Sequence, residues 1–105
     1  EVISGSGKVV LRVIKGFANS STQRLFDTGK SKFPGGLEEG RALVLLNMLN
    51  SAPSLEAISP LRSMGLHALK GNRKGQWAIT VNGPWRICFR FIEGHAYDVE
   101  IVDYH

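Results

Sequence analysis

Six side chains able to transfer protons or hold an anion fall into three short segments of the second half of the chain. A histidine with an unperturbed pKa of about 6.5 can take or give a proton near neutral pH. An arginine stays charged and can grip a phosphate with two parallel hydrogen bonds. At one centre, such groups could combine acid–base work with charge stabilisation; apart, each is an ordinary solvated residue at a strand end. The six are His67, Lys70, Arg86, Asp103, Tyr104 and His105.

The charge pattern around these residues points to a polyanionic partner. The formal net charge is +4, yet no Asp or Glu occurs between Ala57 and Ile92. Neutralising a phosphate releases condensed counterions, so an acid-free basic stretch favours nucleic acid. A solubilising face would show the same pattern. The cations of this stretch are Arg62, Lys70, Arg73, Lys74, Arg86 and Arg90.

The sequence predicts neither a metal site nor a cofactor. The histidines 67, 95 and 105 lack helical i, i+4 spacing, and the single Cys88 adds no paired ligand. Cys88 cannot form an internal disulfide, and its place among alternating aromatics predicts a buried, inert thiol. The segment 5–8, Gly-Ser-Gly-Lys, lacks the residues that complete a phosphate-binding loop, because Val2 and Val9 occupy those positions.

The size and composition fit one domain spanning 1–105, with residues 1–7 as a flexible leader. Apolar runs are far shorter than the roughly 20 residues that span a bilayer, and we find no secretory signal. These features, with the lone cysteine, predict a cytoplasmic protein without a membrane partner.

The first half of the chain predicts one strand and two helices. Residues 8–14 are short and rich in β-branched side chains, as in a strand. A first helix should follow hydroxyl and amide caps at 19–22 and end at Gly29. A second should run from about Leu37 to Asn50, with Glu38 and Glu39 in its first turn. Residues 54–65 should be irregular or loosely helical.

From Leu66 onward, apolar side chains alternate with polar ones. The expected strands cover 77–81, 85–91 and 97–101, joined by turns at Asn82-Gly83 and Glu93-Gly94. Trp77 and Trp85 could stack on bases, but they share parity with neighbouring isoleucines, which favours core packing. The predicted fold is α+β, an antiparallel meander with the two N-terminal helices packed on one face.

Three segments, 67–77, 81–91 and 98–105, together closely resemble the HigB toxin family, the plasmid-maintenance killer branch of the RelE superfamily. The likeness extends over nearly the whole chain from Val13 and includes the terminal Asp-Tyr-His. The chain departs from the family pattern at Ala68, where Pro is frequent, and at Pro84, where Asn or Gln is more usual. The leader before Lys8 is also longer.

The resemblance implies a RelE-like microbial ribonuclease fold and metal-independent cleavage of mRNA, typically in the ribosomal A site, which inhibits translation. It also implies a HigA-type antitoxin with a helix-turn-helix domain. Carried over position by position, it makes catalytic residues of His67, Lys70, Arg86, Asp103, Tyr104 and His105. The acid-free basic stretch adds Arg73, Lys74 and Arg90 as the residues expected to bind RNA.

Metal-free cleavage requires in-line attack by a 2′-hydroxyl, with a base, an acid and a cation at the phosphate. His67 would pair with His105 or Lys70 for the acid–base steps, and which histidine is the base stays open. Arg86 would grip the phosphate. Asp103 could orient a histidine, and Tyr104 could contact the nucleotide. Two alternatives are a RelE-fold toxin that inhibits DNA gyrase by binding, and a non-catalytic RNA-binding domain.

Overall fold

The structure, a computed structural model, describes residues 13–58 and 65–104. The leader 1–7, most of the strand expected over 8–14, and His105 therefore lie outside the described residues. The helices are α1 (Ser20–Thr28), α2 (Glu39–Ser51) and α3 (Leu55–Ile58), with a 3-10 turn at Gly71–Arg73; the strands are β1 (His67–Ala68), β2 (Trp77–Asn82), β3 (Trp85–Ile92) and β4 (His95–Asp103).

The strands form an antiparallel sheet in the order β1-β2-β3-β4, so each strand pairs with the next along the chain. The segment 13–18 runs parallel to β4 along its other edge, with bridges from Ile14 to Ala96 and from Phe17 to Val99. Its backbone bonds include Lys15 N to Ala96 O at 2.8 Å. The predicted α+β arrangement of a meander with helices is confirmed.

Helix α1 has the predicted ends. The Asn19 side chain accepts the N–H of Thr22 at 2.9 Å, and Gly29 at φ 80° returns its own N–H to Leu25 O. These are a side-chain N-cap and a left-handed C-cap.

Helix α2 begins at Glu39, two residues later than the sequence predicted. Glu38 is the N-cap residue, and its N–H donates to Asn82 Oδ1 at 3.0 Å. The amide of Asn82 also donates to Gly36 O at 2.6 Å. The end of β2 therefore fixes the chain before Glu39, and this leaves Leu37 outside the helix, packed against the core.

The core lies between the helices and one face of the sheet. It joins four residues of α2 to side chains of all three long strands, and Trp85 is 4% exposed while Trp77 packs at its edge. Both tryptophans are thus core residues, as predicted. The buried Thr22 hydroxyl of α1 accepts the N–H of Ile101 in β4 at 2.9 Å, which ties that helix to the last strand.

A β-bulge in β4 changes which side chains face the core. Simple alternation predicted Tyr97, Val99 and Ile101 on one face, but the register shifts opposite β3, and Asp98 adopts φ 54°. Tyr97 is 37% exposed, whereas Val99 and Ile101 are buried. One extra residue reverses the parity of everything that follows it in the strand.

The turn of the first hairpin lies one residue later in the chain than predicted. Asn82 still pairs with Trp85, so the two turn residues are Gly83 and Pro84 rather than Asn82 and Gly83. The second hairpin turns at Glu93-Gly94 as predicted, and both residues have positive φ, at 48° and 82°. Positive φ at both central positions is the geometry that favours glycine in tight hairpins.

Candidate active site

The face of the sheet away from the helices, called here the open face, carries three of the six predicted catalytic residues. Residues paired directly across strands project from the same face. One row across the sheet is His67, Ala78, Cys88 and Glu100, and the adjacent row is Thr80, Arg86 and Val102. His67 and Arg86 therefore share this face. The buried Ile87 projects from the other face, as the alternation predicted.

A contact with the backbone fixes which ring nitrogen of the exposed His67 carries the proton. Its Nδ1 lies 2.7 Å from the carbonyl oxygen of Gly65. A carbonyl can only accept, so Nδ1 donates the hydrogen and the neutral ring keeps its lone pair on Nε2. A histidine held in this tautomer can accept a proton from a substrate hydroxyl.

Arg86 is held by the turn that precedes it. Its Nη1 donates to Gly83 O at 2.7 Å and to Trp85 O at 3.0 Å. Both bonds use the same nitrogen, so among the described residues the N–H groups of Nε and Nη2 stay available for an anion. A guanidinium fixed at one end and open at the other can bind a phosphate without reorganising.

The two rows bring His67 and Arg86 near each other. They lie two strands apart across the sheet and two residues apart along it, which places their Cα atoms about 12 Å from each other. Gly65 packs against Thr80, the direct partner of Arg86, because a Cβ on this glycine would lie 2.7 Å from Thr80 Oγ1. Side chains of this length can meet at a phosphate lying between them.

Tyr104 joins this end of the open face. Its N–H donates to Pro84 O at 2.8 Å, which extends the β3–β4 pairing by one residue beyond the strand. Alternation then puts Tyr104 on the side of Val102 and Arg86, and it is 38% exposed. Pro84 fits the turn because this contact needs its carbonyl and not the N–H that proline lacks.

The structure does not bring all six predicted catalytic residues together. Asp103 pairs with Trp85, whose side chain lies in the core, so Asp103 is on the helix side of the sheet at its exposed end. Lys70 is exposed at the far end of β1, where Leu69 N bonds Gln76 O. Counting residues along the sheet places its Cα roughly 20 Å from that of Arg86. His105 lies outside the described residues.

The residues predicted to bind RNA gather at the opposite end of the open face, around the loop after β1. Arg73 and Lys74 lie in that loop, and Arg90 reaches it from β3, with Nη1 2.9 Å from where a Cβ of Gly75 would be. Two of these cations contact acids of β4: Arg73 bonds Glu100, and Arg90 bonds Asp98, both at 3.2 Å. Lys70 and Lys74 are exposed.

Cys88 is fully buried beneath the open face, in a small cluster with Leu69 and Ala78. Burial raises the pKa of the thiol, and this outweighs the opposing effect of Arg73. The predicted buried thiol is confirmed, and at neutral pH it is held in the uncharged, unreactive form.

Sequence reasoning missed three residues that shape this face: Gly65, Thr80 and Glu100. The parity of β2 pointed to Thr80, because it alternates with the apolar Ile79 and Val81. Glu100 could not be assigned without the bulge that sets its face. Gly65 required the pairing of β1 to be known.

Two general properties follow from the described part of the chain. Within residues 13–58 and 65–104, no three His, Cys, Asp or Glu side chains converge as metal ligands would. No helix in those ranges has the length and apolar character needed to cross a membrane.

The sequence itself places this arrangement among known proteins. A family described as RelE-like toxin of the type II toxin-antitoxin system HigB matches residues 15–105. The chain belongs to this HigB toxin family. Within known HigB proteins, Endoribonuclease HigB of Proteus vulgaris is 34% identical over 93 residues, which cover 89% of this chain and 100% of that relative. The family match over residues 15–105 includes both ends of the open face and the terminal segment.

Proposed function

We propose that this HigB-family toxin is a metal-independent endoribonuclease that cleaves mRNA. The observation that carries the proposal is that His67 and Arg86 lie in adjacent rows of one face, a proton acceptor of fixed tautomer near an anchored guanidinium. The name of the Proteus vulgaris relative, Endoribonuclease HigB, supports the same activity.

The proposed reaction begins when His67 Nε2 takes the proton of a 2′-hydroxyl, whose oxygen attacks the adjacent phosphorus. Arg86 binds the phosphate oxygens and stabilises the negative charge that builds on them. Tyr104 contacts the nucleotide at the same end of the sheet. Lys70 lies too far from Arg86 to act on the same phosphate, so the proton for the leaving 5′-oxygen is assigned to His105, which follows Tyr104 in the chain.

The distant cations have a different role in this proposal. Lys70 and Lys74 bind the phosphates of neighbouring nucleotides and set the direction of the strand. Arg73 and Arg90, each paired with an acid of β4, support the loop that carries Lys74. We infer that Asp103, whose pairing with Trp85 places it on the other side of the sheet, does not touch the substrate.

The biological setting is also a proposal. As a type II toxin, the protein acts on mRNA in the ribosomal A site of the cytoplasm and is inhibited by a HigA-type antitoxin with a helix-turn-helix domain. An exposed cationic face suits a substrate that is already held by the ribosome.

The test is an analysis of cleavage products from a defined mRNA, with and without ribosomes and with and without chelator. We expect fragments with 2′,3′-cyclic or 3′ phosphates and free 5′ hydroxyls in chelator, and none from His67→Asn, which keeps a donor to Gly65 but no base. Products with 5′ phosphates that vanish in chelator would refute the mechanism. RNA that is bound but left intact would indicate a binding domain. A parallel assay of DNA gyrase, in which the protein inhibits supercoiling, would indicate a gyrase toxin.

A further inference from the structure

An acidic residue, Glu100, lies in the middle of a surface that is otherwise suited to bind RNA. It is on the open face, in the row of His67 and Cys88, and its side chain is 23% exposed. Electrostatics alone would make such a carboxylate unfavourable, because it repels the phosphates that its neighbours attract.

The contacts of Glu100 show what it does for the loop after β1. Its Oε1 accepts a hydrogen bond from Arg73 Nη1 at 3.2 Å, and its Oε2 accepts one from the Asn19 amide at 3.5 Å. The same Arg73 nitrogen donates to Gln76 Oε1 at 2.9 Å. The carboxylate therefore connects β4 to both a residue inside the loop and the cap of α1.

The loop is closed on itself at its base. Leu69 N donates to Gln76 O at 2.9 Å, and the Leu69 side chain is buried against Ala78 and Cys88. The described contacts that join the tip of the loop to the rest of the sheet run through Arg73 and Glu100, and through Arg90 packed under Gly75.

The two acid–arginine pairs on this face differ in burial. The pair of Arg90 and Asp98 is 39% and 59% exposed, and exposed pairs contribute little. The pair of Arg73 and Glu100 is 26% and 23% exposed and has hydrogen-bonded partners on both sides. The less exposed pair, Arg73 and Glu100, should therefore fix the position of its side chains more firmly than the pair of Arg90 and Asp98.

We propose that Glu100 is a positioning residue, which fixes the loop 69–76 so that Lys70 and Lys74 face the RNA strand. The inference rests on the proposed function for its substrate. Arg73, engaged by Gln76 and Glu100, acts through the loop and not by gripping a phosphate itself.

The proposal and simple electrostatics predict opposite results for Glu100→Gln. Removing a negative charge should tighten RNA binding if the carboxylate only repels phosphate. If it positions the loop, binding should weaken about five- to tenfold, the size expected when a charge-assisted hydrogen bond is replaced by a neutral one. Glu93→Gln is the matched control, since it makes the same charge change in the exposed β3–β4 turn.

The experiment measures binding of an RNA with a 2′-deoxy cleavage site, cleavage of the unmodified RNA, and amide hydrogen exchange in residues 69–76. We expect Glu100→Gln to raise the Kd and KM, to leave kcat within about twofold and to speed exchange in the loop, with no such changes in Glu93→Gln. Glu100→Asp keeps the charge but shortens the reach, and it should behave like Glu100→Gln.

Binding by Glu100→Gln as tight as that of Glu93→Gln, or unchanged exchange in the loop, would overturn the proposal. If Glu100→Gln does not fold, Glu100→Asp decides by the same measurements. Wild-type protein that neither binds nor cuts RNA would count against the proposed function, whereas the exchange measurement would still decide whether Glu100 holds the loop.

Discussion

Replacement of Arg86 is the most direct test of the active site, because the residue combines a structural and a chemical role. Its Nη1 donates to the carbonyls of Gly83 and Trp85 at the β2–β3 turn, while its other N–H groups bond none of the described residues. Arg86→Ala removes both functions. Arg86→Lys keeps the charge, but one ammonium cannot hold the turn and a phosphate with the same geometry.

The two roles differ in size. Loss of the turn bonds, which are at most partly buried, should cost about 1 kcal/mol of unfolding free energy. Loss of a preorganised donor to the transition-state charge should lower the cleavage rate about 100- to 1,000-fold. Arg86→Lys should lose less, about tenfold, which corresponds to about 1.4 kcal/mol.

The assay is single-turnover cleavage of a short mRNA, with urea unfolding of each variant alongside. Arg41→Ala is the matched control, because Arg41 also donates to a carbonyl, Val81 O at 2.7 Å, but from α2 on the helix side. Cleavage by Arg86→Ala within about threefold of Arg41→Ala would refute the assignment of Arg86 to the phosphate.

Two further predictions concern stability. Thr22→Val keeps the shape of the buried side chain but leaves the N–H of Ile101 without its acceptor, so the free energy of unfolding should fall by about 1–3 kcal/mol in urea titrations; wild-type stability would contradict the role given to this bond. Burial raises the pKa of Cys88 above that of an unfolded thiol. The protonated thiol therefore favours the fold below a pH of about 8.5, and stability relative to Cys88→Ala should decline as the pH rises beyond it; a constant difference up to alkaline pH would argue against burial as the cause.

Much of the fold could be predicted because its signals are local. Alternation in β2 and β3 identified the core tryptophans and put Arg86 on the opposite side from Ile87. The cap at Asn19 and the stop at Gly29 gave the bounds of α1. Each of these depends on neighbouring residues, so one sequence contains enough information.

The arrangement of the site depends on contacts that are distant in sequence. The acid-free basic stretch suggested a purely cationic surface, but antiparallel pairing brings Glu100 and Asp98 against Arg73 and Arg90. Lys70 is only three residues from His67 in the sequence, but the chain between them is extended. Lys70 therefore lies far from Arg86, although His67 lies near it. Only the pairing of the strands shows which residues meet.

The extra residue at Asp98 has a consequence for how the end of the chain can vary. Tyr97 already lies on the open face and Val99 in the core, so deleting Asp98 would remove the bulge and leave a regularly alternating strand, with each later side chain on its present face. Glu100 and Tyr104 would stay on the open face, and Ile101 would stay in the core. A single deletion in the regular part of β4, between Glu100 and Asp103, has the opposite effect, because it exchanges the faces of the residues that follow it and so changes which terminal side chain the substrate meets.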